Sequence, residues 1–541
     1  MSDKTGQTSK NAKHRGGVRS KASLVTLGLA LALGTGACRT SSEDVQRWAR
    51  TVQGPKKLVA VLTHDKYPLE LRVESALALI RMKPRNGRRV GIDGTDDQPG
   101  LIASLTQMAP ATRTAIIARL IPALEAEIRK PPPVAQAGQA APADPSVPAK
   151  DAAFALLIHD NGRLVADAGL RQRLKTALST WIAAGFAQRF DDSSQTYAVK
   201  QMVGELKSDS VKALPNLIVP GAAKIDALSE LVADYGDPET KLVASERLVT
   251  VASETASENW IRQKSPGVEA ANKASKLAPT PEQFRAQMDQ YQEEELLRIF
   301  ASMKRVGGPP VVAYLLKFVQ DKAQSPKRRQ GALAALQGNL DRSNGAQAEG
   351  ILAVAAAADT PDMVRDTALQ RVGEFPRAVV VERLYGLFEN TNWKVRWVAA
   401  ELLLKMSDTS QLPEFLDRLG KANNMAITEP LRYGALIGEM KGATKPVDAV
   451  HPYLSSSKSV QARLTALGYY YGNGTKADLG KLSNLAGDHT KAPTCAENAD
   501  GCEWKCAITT SDGKRETKDI TTLGEFFENC VKPAMEKRGA T

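Results

Sequence analysis

Val364–Val372 reads VRDTALQRV and Val395–Leu403 reads VRWVAAELL. In both, an arginine follows valine, and an alanine stands three positions after the arginine. The same pairing recurs in RRQGALAAL around Arg329, LRYGALIGEM around Arg432 and ARLTALGYY around Arg463, so the five cations are spaced 36, 31, 36 and 31 residues apart. Periods of about 20–50 residues mark stacked repeats, in which each unit cannot bury its apolar face alone. Each unit here has one anatomy: an apolar helix such as VVVERLYGLFEN, a polar turn, then the cation opening a second amphipathic helix. The small residue lets the two helices approach closely. ELRVESALAL, with Arg72 and Ser75, and ETKLVASERL, with Lys241 and Ala244, fit the same register, which makes seven legible units.

This pattern resembles the HEAT repeat, whose second helix typically opens Asp-x-x-x-Val-Arg-x-x-Ala. Asp359, Val364, Arg365 and Ala368 approach that pattern, and Val395, Arg396 and Ala399 reproduce its core. The resemblance is clearest over residues 310–485, is present at 55–82 and 224–252, and is faint elsewhere. It implies an all-α, HEAT-like α-solenoid of helical hairpins. It also implies that Arg72, Lys241, Arg329, Arg365, Arg396, Arg432 and Arg463 are structural and tie adjacent repeats together.

Residues 1–21 carry Lys4, Lys10, Lys13, Arg15, Arg19 and Lys21 against Asp3, and precede an apolar run from Leu24 to Leu33. That is the order of a secretory signal, and the run is too short for the roughly 20 residues of a membrane-spanning helix. Thr35, Gly36, Ala37 and Cys38 resemble the bacterial lipobox, although Thr35 stands where an aliphatic residue is usual. The resemblance implies cleavage after residue 37 and a diacylglycerol on Cys38; ordinary cleavage with release of a soluble protein is the alternative, and an uncleaved anchor the third. Arg39 after the cysteine, in place of aspartate, favours an outer membrane, with the protein facing the periplasm or the cell surface. Without the leader the formal charge falls from +12 to +7, which is not the footprint of a nucleic-acid binder.

The expected organisation is a signal peptide at 1–37, a HEAT-like segment at 38–130, a Pro/Ala-rich linker at 131–150, degenerate helical repeats at 151–309, HEAT-like repeats at 310–492 and a cysteine-bearing module at 493–541. The linker reading rests on six prolines and no apolar periodicity over 129–150. Residues 85–100 form a second break, where Asp93, Asp96 and Asp97 suggest a calcium loop, but Gln98 and Ser104 stand where an EF-hand has glycine and glutamate. Thr280, Pro281 and Gln283 predict a capped helix over 281–306, with Glu293–Glu295 on its solvated face.

Cys495, Cys502, Cys506 and Cys530 lie within the last 47 residues. Their spacing lacks paired C-x-x-C knuckles, and an exported chain meets an oxidising compartment, so two disulfides are expected in place of zinc. Three pairings are open; one joins Cys506 in a short strand to Cys530 in a closing helix capped by Thr522. A tail this small needs such crosslinks to fold as an α+β module, which either caps the solenoid or recognises a partner.

Four histidines remain after the leader, scattered in sequence, and no H-E-x-x-H, G-x-S-x-G or Walker loop occurs. No cofactor, no metal and no enzymatic activity are expected. Trp393 and Trp397, four apart on one helical face, are either core or a partner-binding patch. The expected function is that of a lipid-anchored scaffold for envelope proteins, with cell-wall polymer a further possible partner. A soluble periplasmic or secreted enzyme or enzyme accessory factor is the alternative.

Overall fold

The structure is a computed structural model, and it describes residues 40–85, 88–133, 142–159, 163–192, 196–422, 428–491, 504–509 and 514–539. The leader and Cys38, most of the proline-rich stretch, and Cys495 and Cys502 lie outside the described residues. Two units are distinguished, residues 1–120 and 121–541. The architecture is all-α and HEAT-like, with a small α+β tail.

In the first unit Gly54–Thr63 and Leu69–Ile80 form a helical hairpin. Leu58, Leu62, Ala76 and Leu79 are fully buried between them. Arg72, fourth residue of its helix, donates Nε to the Leu62 carbonyl at 2.8 Å and a guanidinium N–H to Asp65 at 3.0 Å. The break at 85–100 is a two-stranded antiparallel turn, Gly94–Thr95 against Gln98–Pro99. Gly94 is required there: φ is +86°, and a Cβ would lie 2.4 Å from the Gln98 carbonyl. Asp93 is paired with Arg89 at 2.8 Å and Asp96 with Arg88 at 3.0 Å. Two of the three carboxylates of the supposed calcium loop are therefore occupied by guanidinium groups.

In the second unit the linker assignment of 131–150 runs too far. Val147–Ile158 is a helix, and Lys150 within it is completely buried. Its ammonium meets Asp151 at 2.6 Å and the Tyr197 carbonyl at 3.0 Å, and lies 5.1 Å from the Trp181 ring centroid. A buried charge is tolerated when paired and hydrogen-bonded, and a lysine read as a surface residue gives no warning of that. Just upstream, Asp144 pairs with buried Arg189 at 2.7 Å, and Ser146 Oγ accepts from Trp181 Nε1 at 2.7 Å.

Pro281–Val306 is the long helix the sequence predicts, with the reciprocal Thr280–Gln283 cap. Its acidic stretch is only partly solvated. Glu295 pairs with Arg298 at 2.7 Å, whereas Glu293 accepts from Ser325 Oγ at 2.6 Å and Lys327 at 3.0 Å, at the start of Pro326–Ala335. Burial pushes the Glu293 carboxyl up, but these donors outweigh it and hold it below the usual carboxylate range.

Five hairpins follow. Their second helices are Pro326–Ala335, Asp362–Val372, Trp393–Lys405, Thr428–Ile437 and Val460–Asn473. Ser325, Asn392 and Ser459 cap three of them through their side chains. The motif alanines Ala332, Ala368, Ala399 and Ala466 are fully buried, where a larger side chain would separate the helices.

The tail pairs Lys505–Thr509 with Arg515–Asp519, antiparallel, and then becomes helical at Leu523 behind a Thr522–Glu525 capping box. Cys506 and Cys530 are disulfide-bonded, 6.0 Å apart at Cα, and link strand to helix. The tail packs on the last repeat helix: Phe526 lies 5.8 Å from Tyr471 and 5.0 Å from Trp504. Arg538 donates to the carbonyls of Tyr470, Tyr471, Gly472 and Gly474 at 2.6–3.0 Å, satisfying the last carbonyls of Val460–Asn473. Arg538→Ala is expected to cost about 1 kcal/mol and to speed proteolysis of the tail. Hydrogen exchange should report the loss at 470–474, with protection over 310–420 unchanged.

Candidate docking surface

The repeat cations fall into two groups. Arg72, Arg329, Arg365, Arg396 and Arg463 are each the fourth residue of a helix and are buried. Arg329 Nε donates to Val319 O at 2.8 Å, Arg365 Nε to Ala355 O at 3.1 Å, and Arg463 Nε to Leu454 O at 3.3 Å. Arg365 also reaches Ala357 O at 3.1 Å and Asp362 at 2.8 Å, and Arg396 donates to Asn390 O at 2.5 Å. The acceptors end the first helix of the same hairpin, where carbonyls lack intrahelical partners. These hydrogen bonds close each arginine's own hairpin, whereas the family resemblance implied ties between adjacent repeats. Surface pairs link neighbouring hairpins: Lys322 with Asp359 at 2.7 Å, Arg418 with Glu382 at 2.9 Å, and Lys394 with Asp362. Arg463 reaches beyond its hairpin to Thr490 at 3.0 Å and to Asp488.

Lys241 and Arg432 do not fit. Lys241 holds the fourth position of Pro238–Thr255 but is only half-buried, and it donates to no carbonyl among the described residues. An ammonium has no planar fork with which to span several acceptors. Arg432 lies on Thr428–Ile437 but is exposed, as is Ala435, while Tyr433 and Ile437 are fully buried. The buried face has shifted by one residue, from Arg432 to Tyr433, which is about 100° around the helix. The cause is the crossing with Val460–Asn473. A Cβ on Gly434 would lie 2.2 Å from the Thr465 carbonyl, and one on Gly468 would lie 2.3 Å from the Leu431 carbonyl. Backbone meets backbone at two glycines, and that contact, not the arginine, orients the helix.

The rotation carries Arg432 onto the two tryptophans. Its guanidinium carbon is 5.9 Å from each of the Trp393 and Trp397 ring centroids. Trp397 is stacked on buried Tyr433 at 5.4 Å with planes 19° apart, and Tyr433 meets Phe415 edge-on at 6.3 Å. Both tryptophans are half-buried. Trp397 is thus anchored to the core by one face, and the cluster presents an aromatic surface with a cation at its edge. Such surfaces suit protein recognition because aromatic and guanidinium groups give contact area with little loss of side-chain freedom. The sequence reading found the tryptophans but assigned Arg432 to the repeat; the signal it passed over was the matched spacing Gly434-x-x-x-Gly438 and Gly468-x-x-x-Gly472.

Beside this cluster a cavity of about 570 Å³ lies between the ends of Trp393–Lys405 and Thr428–Ile437, lined by Glu401, Lys405, Met406, Asp408, Met440 and Lys441. Lys405 pairs with Glu401 at 2.6 Å, and Asp408 accepts from the Ser410 amide at 2.7 Å, so both charges have local partners. His451 packs against Tyr470, with Nδ1 3.0 Å from the hydroxyl, whose pKa burial pushes well above the tyrosine range. Among the described residues no group of His, Cys, Asp and Glu is placed to hold a metal ion, and no helix is long and apolar enough to cross a membrane.

No family model matches the chain. No curated protein matches it either. Crystal structures of Kap121p, alone, bound to RanGTP and bound to Nup53p, are similar over 83 % of this chain at 12 % identity, with TM-scores of 0.26–0.27. The chain spans less than half of those chains, 44–47 % of their length.

Proposed function

We propose that this chain is a bacterial lipoprotein, anchored through Cys38, that serves as a scaffold for protein partners of the cell envelope. The observation that carries the scaffold reading is Arg432 resting on Trp393 and Trp397. The buried repeat arginines are engaged with carbonyls, whereas this one is exposed beside two half-buried indoles. A periplasmic or outer-surface location rests on the leader and Cys38, and no observation favours the enzyme alternative.

The test is capture from envelope extract with the wild-type chain and with a Trp393→Ala/Arg432→Ala variant. Loss of a captured protein by about tenfold or more is expected, the size of a hot-spot effect, with the thermal midpoint nearly unchanged. Undiminished capture by the variant would remove the patch from the function. Anchoring is read separately: the membrane fraction should yield a chain lacking residues 1–37 and carrying acyl mass, and Cys38→Ser should abolish that mass.

A further inference from the structure

The first unit carries a second surface, distinct in chemistry from the tryptophan cluster. Val52, at 79 % exposure, is the most exposed large hydrophobic residue among the described ones. It sits at the turn between Ser42–Trp48 and Gly54–Thr63. Residues 47–57 hold Arg47, Arg50, Lys56 and Lys57 and no carboxylate. Arg85 ties a second basic stretch to the same turn by donating to the Thr51 carbonyl at 2.7 Å and the Val52 carbonyl at 3.1 Å. That stretch supplies Arg81, Lys83, Arg85, Arg88 and Arg89, again with no carboxylate among them.

Three aspartates temper the charge: Asp44 faces Arg47, Asp93 faces Arg89 and Asp96 faces Arg88. Arg50, Lys56 and Lys83 are exposed and form no ion pair among the described residues. Between the two basic stretches lies a cavity of about 570 Å³ whose lining includes Val52, Arg85, Arg88, Gln98 and the Arg88-paired carboxylate of Asp96. The buried Gln98 Nε2 group has no hydrogen-bond partner among the described residues. An unpartnered donor beside two guanidinium groups is the chemistry of a phosphate receptor.

We propose that this face docks on an anionic lipid surface, with Val52 entering the headgroup layer and lipid phosphate meeting Arg85, Arg88 and Gln98. A protruding aliphatic residue ringed by lysine and arginine matches an interface that is apolar within and negatively charged at its rim. The inference rests on the anchoring reading in one respect. Only three residues lie between Cys38 and Ser42, the first helical residue, a span of about 14 Å at most. An acyl chain on Cys38 therefore holds the start of this unit at the bilayer.

The test uses the chain from residue 38 with Cys38→Ser, which bears no lipid, in flotation with vesicles. Binding is expected to vesicles rich in phosphatidylglycerol and not to pure phosphatidylcholine, and it should fall steeply at about 0.5 M salt. Lys56→Glu/Lys57→Glu should reduce the vesicle-bound fraction about tenfold or more. Val52→Asp should do so by several-fold, and both variants should keep the wild-type melting temperature because the replaced side chains are exposed. Equal binding to both vesicle types, no binding to either, unchanged binding by both variants, or binding to an anionic wall polymer with none to vesicles would each overturn the proposal. Failure of the anchoring reading shows elsewhere, as absence of acyl mass on Cys38 in protein from cells.

Discussion

Arg365→Ala should lower the stability of the repeat-bearing unit by about 3–5 kcal/mol, while Arg432→Ala should change it by less than about 0.5 kcal/mol. The two arginines occupy the same place in the sequence motif, so a motif-level account assigns them equal effects. Arg365 is 2 % exposed and satisfies the Ala355 and Ala357 carbonyls together with Asp362. Its removal leaves buried acceptors without donors, and each such orphan costs about 1–3 kcal/mol. Arg365→Lys should recover only part of the loss, since a single ammonium cannot face several acceptors at once. Urea unfolding of the three variants decides the matter. Equal midpoints for Arg365→Ala and Arg432→Ala would show that the buried arginine does not close its hairpin.

Gly468→Leu is expected to be comparably damaging, at about 3 kcal/mol or more, with a smaller loss for Gly468→Ala. A Cβ at this position meets the Leu431 carbonyl at 2.3 Å and the Leu431 Cα at 2.7 Å, and backbone cannot swing aside as a flexible side chain can. The helices must separate, which withdraws Tyr433 from its buried site and breaks its stacking with Trp397. The variant should therefore lose partner capture along with stability. Gly480→Ala is the matched control, because a Cβ there meets nothing within 4 Å. Calorimetry of the three proteins checks the order; equal midpoints for Gly468→Ala and Gly480→Ala would refute the close crossing.

The hairpin architecture was legible because it depends on local periodicity. A cation three residues before a small residue, repeated on a period of 31 or 36, marks the hairpins, and at Arg72, Arg329, Arg365, Arg396 and Arg463 it also marks the buried helix face. The Pro281–Val306 helix was legible for a similar reason, since a proline at its first position and a reciprocal cap are coded within four residues. What escaped is set by contacts distant in sequence. The burial of Lys150 depends on Asp151 but also on Tyr197 and Trp181, and no local pattern announces that convergence. Glu293 reads as solvent-facing until Ser325 and Lys327 are brought to it by the next hairpin. The rotation of Arg432 follows from a glycine 36 residues away on another helix. One aromatic-cationic cluster was thus half visible: its tryptophans stand out by spacing, but its arginine was hidden by resembling its neighbours.

A stack of hairpins that ended bare would offer its last apolar face to any other copy of itself and risk growing head to tail into filaments. The final hairpin here is shut by Phe526 against Tyr471 and by Arg538 gripping the end of Val460–Asn473. Stacking of another copy on that hairpin would first require displacing the disulfide-braced tail that covers it.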